Sequence, residues 1–130
     1  GISSIKIIKL GLPISYFSLF LIIYFGNNAG AFLFTLYIMT SIVISLTQPA
    51  IALNFSKNLA GKSLTSFNVF LFSGTFFIQW GIGLVIDICS NKGFDIVSSY
   101  RISFSVFLIL CVLSYIFFIY LNKKKYENKT

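Results

Sequence analysis

The chain is 130 residues long, 57% hydrophobic and only 10% charged, with ten Lys or Arg, three Asp or Glu and no His, for a formal net charge of +7. Soluble domains carry about 25% charged residues, so this inventory cannot cover a water-facing surface and points to an integral membrane protein. It also leaves catalysis without parts: there is no His, the three acids are scattered, and no Ser or Cys stands beside a plausible base.

A membrane helix needs about 20 apolar residues to cross about 30 Å of hydrocarbon. Four stretches meet that length, and the spacing predicts an all-α membrane protein with helices over 5–25, 29–55, 63–89 and 101–121 and a basic tail at 122–130. The spans consume the chain, so 1–130 reads as one transmembrane region with no room for a soluble catalytic domain. Gly rather than Met stands first, and the chain reads as a piece of something longer.

Lys6 and Lys9 open the first span, followed by Pro13 near the same end. Proline is tolerated in a membrane helix when neighbours satisfy the carbonyl it frees. Ser15 and Ser18 interrupt the Leu, Ile, Phe and Tyr that make up the rest of this span. The joint GNNAG (26–30) reads as a turn, because Gly and Asn accept positive φ at low cost. In the second span Tyr37, Ser41, Ser45 and Gln48 recur at steps of three or four and should share one helical face. Pro49 follows directly and is expected to bend or weaken that end of the helix.

Lys57 and Lys62 lie between the second and third spans. Within the third, Asn68, Thr75 and Gln79 fall at i, i+7 and i+11, a single stripe, with Gln79 nearest the middle of the membrane. Gly74, Gly81 and Gly83 offer small surfaces for helix packing. Asp87 sits at the far headgroups, where it reads as an interfacial carboxylate or a partner for Arg101 rather than a proton site. The fourth span opens at Arg101, carries Ser103, Ser105, Ser114 and Tyr115, and ends in Tyr120 and the lysines. That is a common aromatic-plus-basic anchor.

Basic residues therefore collect on alternate joints. By the positive-inside rule, both ends, Lys57, Lys62 and the run Lys123, Lys124 and Lys125 are cytoplasmic, and 26–30 and 90–100 lie on the far side. This distribution accounts for the net charge through topology, not nucleic-acid binding. The Lys, Asn, Ile and Phe richness suggests an AT-rich bacterial genome, which makes a bacterial inner membrane the expected home.

The spans differ in polarity. The first and fourth are greasy, with Ser and Tyr as their polar residues. The second and third carry amides, hydroxyl stripes and glycines. Burying an amide in hydrocarbon without partners costs about 2–7 kcal/mol, so Gln48, Asn68 and Gln79 should face protein or water while the first and fourth spans shield them from lipid. The competing reading of these residues is structural: interhelical hydrogen bonds worth about 0.6 kcal/mol each. Cys89 and Cys111 lack metal-ligand spacing and read as small buried hydrophobes. LAGKS (59–63) lacks the first Gly and the spacing of a phosphate-binding loop. No metal, cofactor or catalytic residue is expected.

Two stretches are informative together: NLAGKSLTSFN (58–68) and FFIQWGIGLVID (76–87), with YRISF (100–104) after them. A short loop bearing Gly and a basic residue, leading straight into a helix, resembles the segment before the eleventh helix of major facilitator superfamily transporters. The Gly-bearing helix ending in Asp, then an outer loop, then YRISF, resembles that family's approach to its last helix. The resemblance covers almost the whole chain, as helices nine to twelve of a larger 12-helix carrier fold. It implies that the second and third spans line a central pathway and that the first and fourth lie outside. The implied function is the C-terminal fragment of a secondary active transporter, moving a small solute by alternating access in partnership with its N-terminal part. The pathway residues would be Gln79, Thr75, Asn68, Tyr37, Ser41 and Gln48. The alternative is a self-contained four-helix membrane scaffold or assembly subunit, which should bury its polar faces internally.

Overall fold

The computed structural model describes the backbone of residues 4–127 and the side chains of 5–122. Five α-helices occupy this range: α1 (Ser4–Phe25), α2 (Ala31–Ser41), α3 (Thr47–Ala52), α4 (Lys57–Asn91) and α5 (Ile96–Glu127). Four stretches are long and apolar enough to cross a membrane, Ile5–Asn28, Ala31–Ala52, Lys57–Asn91 and Ile96–Asn122. No strand occurs among the described residues. In hydrocarbon an unpaired backbone group has no water to turn to, and helices satisfy theirs internally.

The helix ends follow local chemistry. α1 runs into a 3-10 turn at Gly26–Asn28, which Gly26 opens at φ 54°. α4 ends at Asn91, and just beyond it Gly93, at φ 86°, lets the Phe94 N–H return to the Cys89 carbonyl at 3.1 Å. This is the glycine stop that helices commonly use. Asp95 then caps α5: its carboxylate accepts the Ser98 backbone N–H at 3.0 Å. The hydrogen bonds from Ser98, side chain first and backbone second, hold the Asp95 carboxyl below its ordinary range.

Three expected boundaries shift. α4 begins at Lys57 instead of 63, so the expected joint residues 57–62, with Lys57 and Lys62, are helical, and the joint shrinks to 53–56. α5 begins at Ile96 instead of 101, because Asp95 supplies the cap five residues earlier than the apolar run suggests. The α5 backbone continues through the start of the expected tail to Glu127, and the side chains of Lys123, Lys124 and Lys125 lie outside the described residues.

The second span is not one helix. Between α2 and α3 the backbone tightens into a 3-10 segment over Ile42–Leu46. Pro49 lacks an N–H and its ring crowds the carbonyl four residues back, that of Ser45, so the distortion falls one turn before the proline. The β-branched run Ile42, Val43 and Ile44 adds little resistance, since such residues are stiff and only moderate helix formers.

The helices pack in the order α2–α1–α5–α4, with α3 returning to the start of α4. On α1, Ile8, Leu12, Ser15 and Leu19 are buried at i, i+4, i+7 and i+11, and Ser18 is fully buried beside them. On α5 the fully buried residues are Ser99 and Ser103, one turn apart. Small side chains let membrane helices approach closely. The expected shielding is therefore reversed within this chain: the greasy first and fourth spans form the packed centre, and the more polar second and third flank it. α4 contributes only Cys89 to the buried set.

Polar contacts reinforce the centre. Pro13 leaves the Lys9 carbonyl without its intrahelical donor, and the Tyr115 hydroxyl donates to that carbonyl across the α1–α5 contact at 2.8 Å. The rings of Tyr16 and Tyr115 meet edge to face at 6.0 Å. Ser103 Oγ donates to the Ile82 carbonyl of α4 at 2.9 Å. Arg101 donates through Nε to the Ile23 carbonyl at 2.9 Å and through Nη2 to the Tyr24 carbonyl at 3.2 Å. Those carbonyls belong to the last turn of α1, where helices leave acceptors unsatisfied and favour a cation.

Candidate functional site

The two polar stripes expected from sequence meet in one place. A cleft of about 560 Å³ opens between the end of the second span and α4, lined by Ile44, Ser45, Thr47, Gln48, Phe67, Phe70, Leu71 and Thr75. Gln48 and Ser45 come from one side and Thr75 from the other. The Thr75 hydroxyl donates to the Leu71 carbonyl at 2.9 Å and that of Thr47 to the Ile44 carbonyl at 2.7 Å. Their protons are thus used within the helix, and their lone pairs remain as acceptors. The Gln48 carboxamide and Ser45 hydroxyl have no hydrogen-bond partner among the described residues. The cleft therefore offers one amide, three hydroxyl oxygens and two aromatic faces, and no titratable side chain lines it.

Tyr37 and Ser41 do not join this cleft. A 3-10 helix turns about 120° per residue and an α-helix about 100°, so the five residues of Ile42–Leu46 rotate the downstream helix by about 100° relative to a continuous α-helix. The expected single face splits accordingly. Ser45 and Gln48 look toward α4, while Tyr37 is half-buried within electrostatic reach of Tyr16 and Cys111, on the α1 and α5 side. Ser41 returns its hydroxyl to the Ile38 carbonyl at 2.9 Å.

Asn68, Thr75 and Gln79 lie along one exposed stripe of α4, as their spacing requires, but only Thr75 reaches the cleft. Asn68 and Gln79 have no hydrogen-bond partner among the described residues. The depth order changes as well. Because α4 begins at Lys57 and ends at Asn91, its midpoint is Gly74, so Thr75 stands nearest the middle and Gln79 more than one turn beyond.

The third-span glycines do not pack closely against another helix here. A Cβ added at Gly74, Gly81 or Gly83 would meet nothing within 4 Å. Gly11 is the close-approach glycine instead: a Cβ there would stand 2.8 Å from both γ-carbons of Val43. Arg101 serves the end of α1, and no ion pair joins it to Asp87 among the described residues. A cation attracts both a carboxylate and helix C-terminal carbonyls, and here the carbonyls hold it. Lys57 and Lys62 are exposed in the first two turns of α4. Cys89 is buried and Cys111 half-buried, both as free thiols, and no metal-binding cluster occurs among the described residues.

Sequence reasoning missed the part played by four residues. Tyr115 was legible as a possible partner for Pro13, since the proline announces a free carbonyl, although which hydroxyl would reach it was not. Ser99 and Ser103 sit four residues apart, a small-residue spacing that signals helix contact. Gly11 carried no local signal. No family model, curated protein or solved structure matches the chain.

Proposed function

We propose that this chain forms the C-terminal four helices of a secondary active transporter resembling the major facilitator superfamily, moving a small solute by alternating access across a bacterial inner membrane. The observation that supports this reading most is the cleft where Gln48 and Ser45 face Thr75, continued along α4 by unpaired Asn68 and Gln79. Amides left open at membrane depth call for water or protein. A solvated pathway completed by the N-terminal part of the same carrier supplies both. In this reading the cleft forms one wall of the pathway, α1 and α5 hold the wall together, and both chain ends are cytoplasmic. A self-contained scaffold would bury these amides within its own bundle, and their exposure weighs against that alternative.

Two measurements test the proposal. Reading the coding DNA upstream in the same frame should reveal the further apolar spans that a twelve-helix carrier requires. A start codon with a ribosome-binding site immediately before this chain would sink the reading. In the full carrier freed of native cysteines, Q48C and T75C should react with a membrane-impermeant maleimide, whereas I8C and L19C, at buried positions of the α1 packing face, should not.

A further inference from the structure

A second cleft lies at the other end of the bundle. It encloses about 340 Å³ and is lined by Ile22, Ile23, Val97, Phe34 and Phe104, with Arg101, Tyr100 and Asn27 supplying the polar groups. α1 has just ended here and α5 has just begun, so the cleft stands where hydrocarbon gives way to headgroups. Arg101 spends Nε and one Nη2 hydrogen on the end of α1. Its Nη1 has no partner among the described residues, nor do the Tyr100 hydroxyl and the Asn27 carboxamide. An anchored guanidinium presenting its remaining donors beside a greasy channel matches a phosphate joined through glycerol to acyl chains. The nearest carboxylate in sequence, Asp95, is engaged with Ser98 and does not line the cleft.

We propose that this cleft binds one phospholipid from the leaflet on the Gly26–Asn28 side, its phosphate on Arg101 and an acyl chain along Ile22, Val97 and Phe104. The site is independent of the solute pathway: it lies at the opposite end of the second span and shares no lining residue with the Gln48–Thr75 cleft. Bound lipid would cover apolar surface that the helices leave open and would tie α1, α2 and α5 together at that face. Phosphatidylglycerol should be preferred over phosphatidylcholine, because its headgroup carries no competing cation.

The test is native mass spectrometry of the purified chain after exchange into detergent containing phosphatidylglycerol, phosphatidylcholine or inorganic phosphate. Wild type should retain one phosphatidylglycerol. R101A should bind it about tenfold more weakly, the loss expected for a charge-assisted hydrogen bond. Should R101A fail to fold, V97F fills the channel while leaving Arg101 in place, and it should lose the lipid with its helical circular dichroism intact. Wild-type lipid retention in folded V97F, or in folded R101A, would overturn the proposal. So would displacement of the lipid by inorganic phosphate alone, which would identify a free-anion site.

Discussion

The α1–α5 pair and the middle of α4 are built from similar apolar residues, yet they meet their surroundings in opposite ways. On α1 and α5 the buried polar groups are few and small: Ser15, Ser18, Ser99 and Ser103 are buried, Ser18, Ser99 and Ser103 donate to backbone carbonyls, and Tyr115 closes the carbonyl freed by Pro13. Along the middle of α4, Phe70, Phe72, Phe76, Phe77 and Trp80 are exposed, and Asn68 and Gln79 are unpaired. The first region is finished within this chain. The second has the surface of something still to be covered. Mean polarity does not separate them; the size of the polar side chain and the presence of a partner do.

Mutations can break the comparison, beginning where it is sharpest. S103L should cost about 3 kcal/mol, from overpacking a filled site and losing a hydrogen bond. S73L, on exposed α4, should stay within about 0.5 kcal/mol. Unfolding in mixed micelles with increasing SDS measures both. R101A should cost about 2 kcal/mol by releasing the last carbonyls of α1, read as a lower melting temperature in detergent. Y115F should cost about 1 kcal/mol, because the Lys9 carbonyl loses its donor, while Y120F, whose ring is exposed, should change nothing measurable in the same assay.

Acid should act on the cap of α5. The Asp95 carboxyl is held below its usual range by Ser98, so its contribution is complete above the ordinary carboxylate pKa and disappears as pH falls through the lowered one. D95N should flatten that part of the pH–stability profile, and an unchanged profile would remove the cap from the account. Q79L should likewise leave stability unchanged, because the Gln79 side chain makes no hydrogen bond among the described residues. Under the proposed transport function Q79L should instead impair uptake by the full-length protein, so equal stability with reduced uptake would mark α4 as a working surface.

Much of the fold was legible because hydrophobic length and the spacing of turn residues are local properties. The four spans, the Gly26 turn and the disturbance near Pro49 follow from such signals. The early start of α4 was not read, since Lys57, Asn58 and Gly61 look like a loop but continue a helix once Ser56 has turned the chain. The break in the second span was anticipated, but its consequence was not: a tighter winding over five residues turned Tyr37 and Gln48 toward different neighbours. Which helices would form the centre could not be read from span polarity, because contact depends on the shape of the interface. Four buried serines and Gly11 against Val43 determine that shape, and each becomes informative only beside its partner helix. For the candidate site, the residue types and the α4 stripe were visible in sequence, whereas the meeting of Gln48 with Thr75 required the bend.

The contact at the Lys9 carbonyl, which Pro13 frees, bears on assembly. Lys9 and Tyr115 are separated by 106 positions. During synthesis α1 enters the bilayer long before α5 exists, so the Lys9 carbonyl must wait in the membrane without this donor, relying on water near the interface or on the insertion machinery. The arrival of α5 then completes α1. A chain cut short before Tyr115 would leave α1 permanently marked by an unpaired acceptor, a local polarity by which a membrane quality-control protease would distinguish an unfinished product from a finished one.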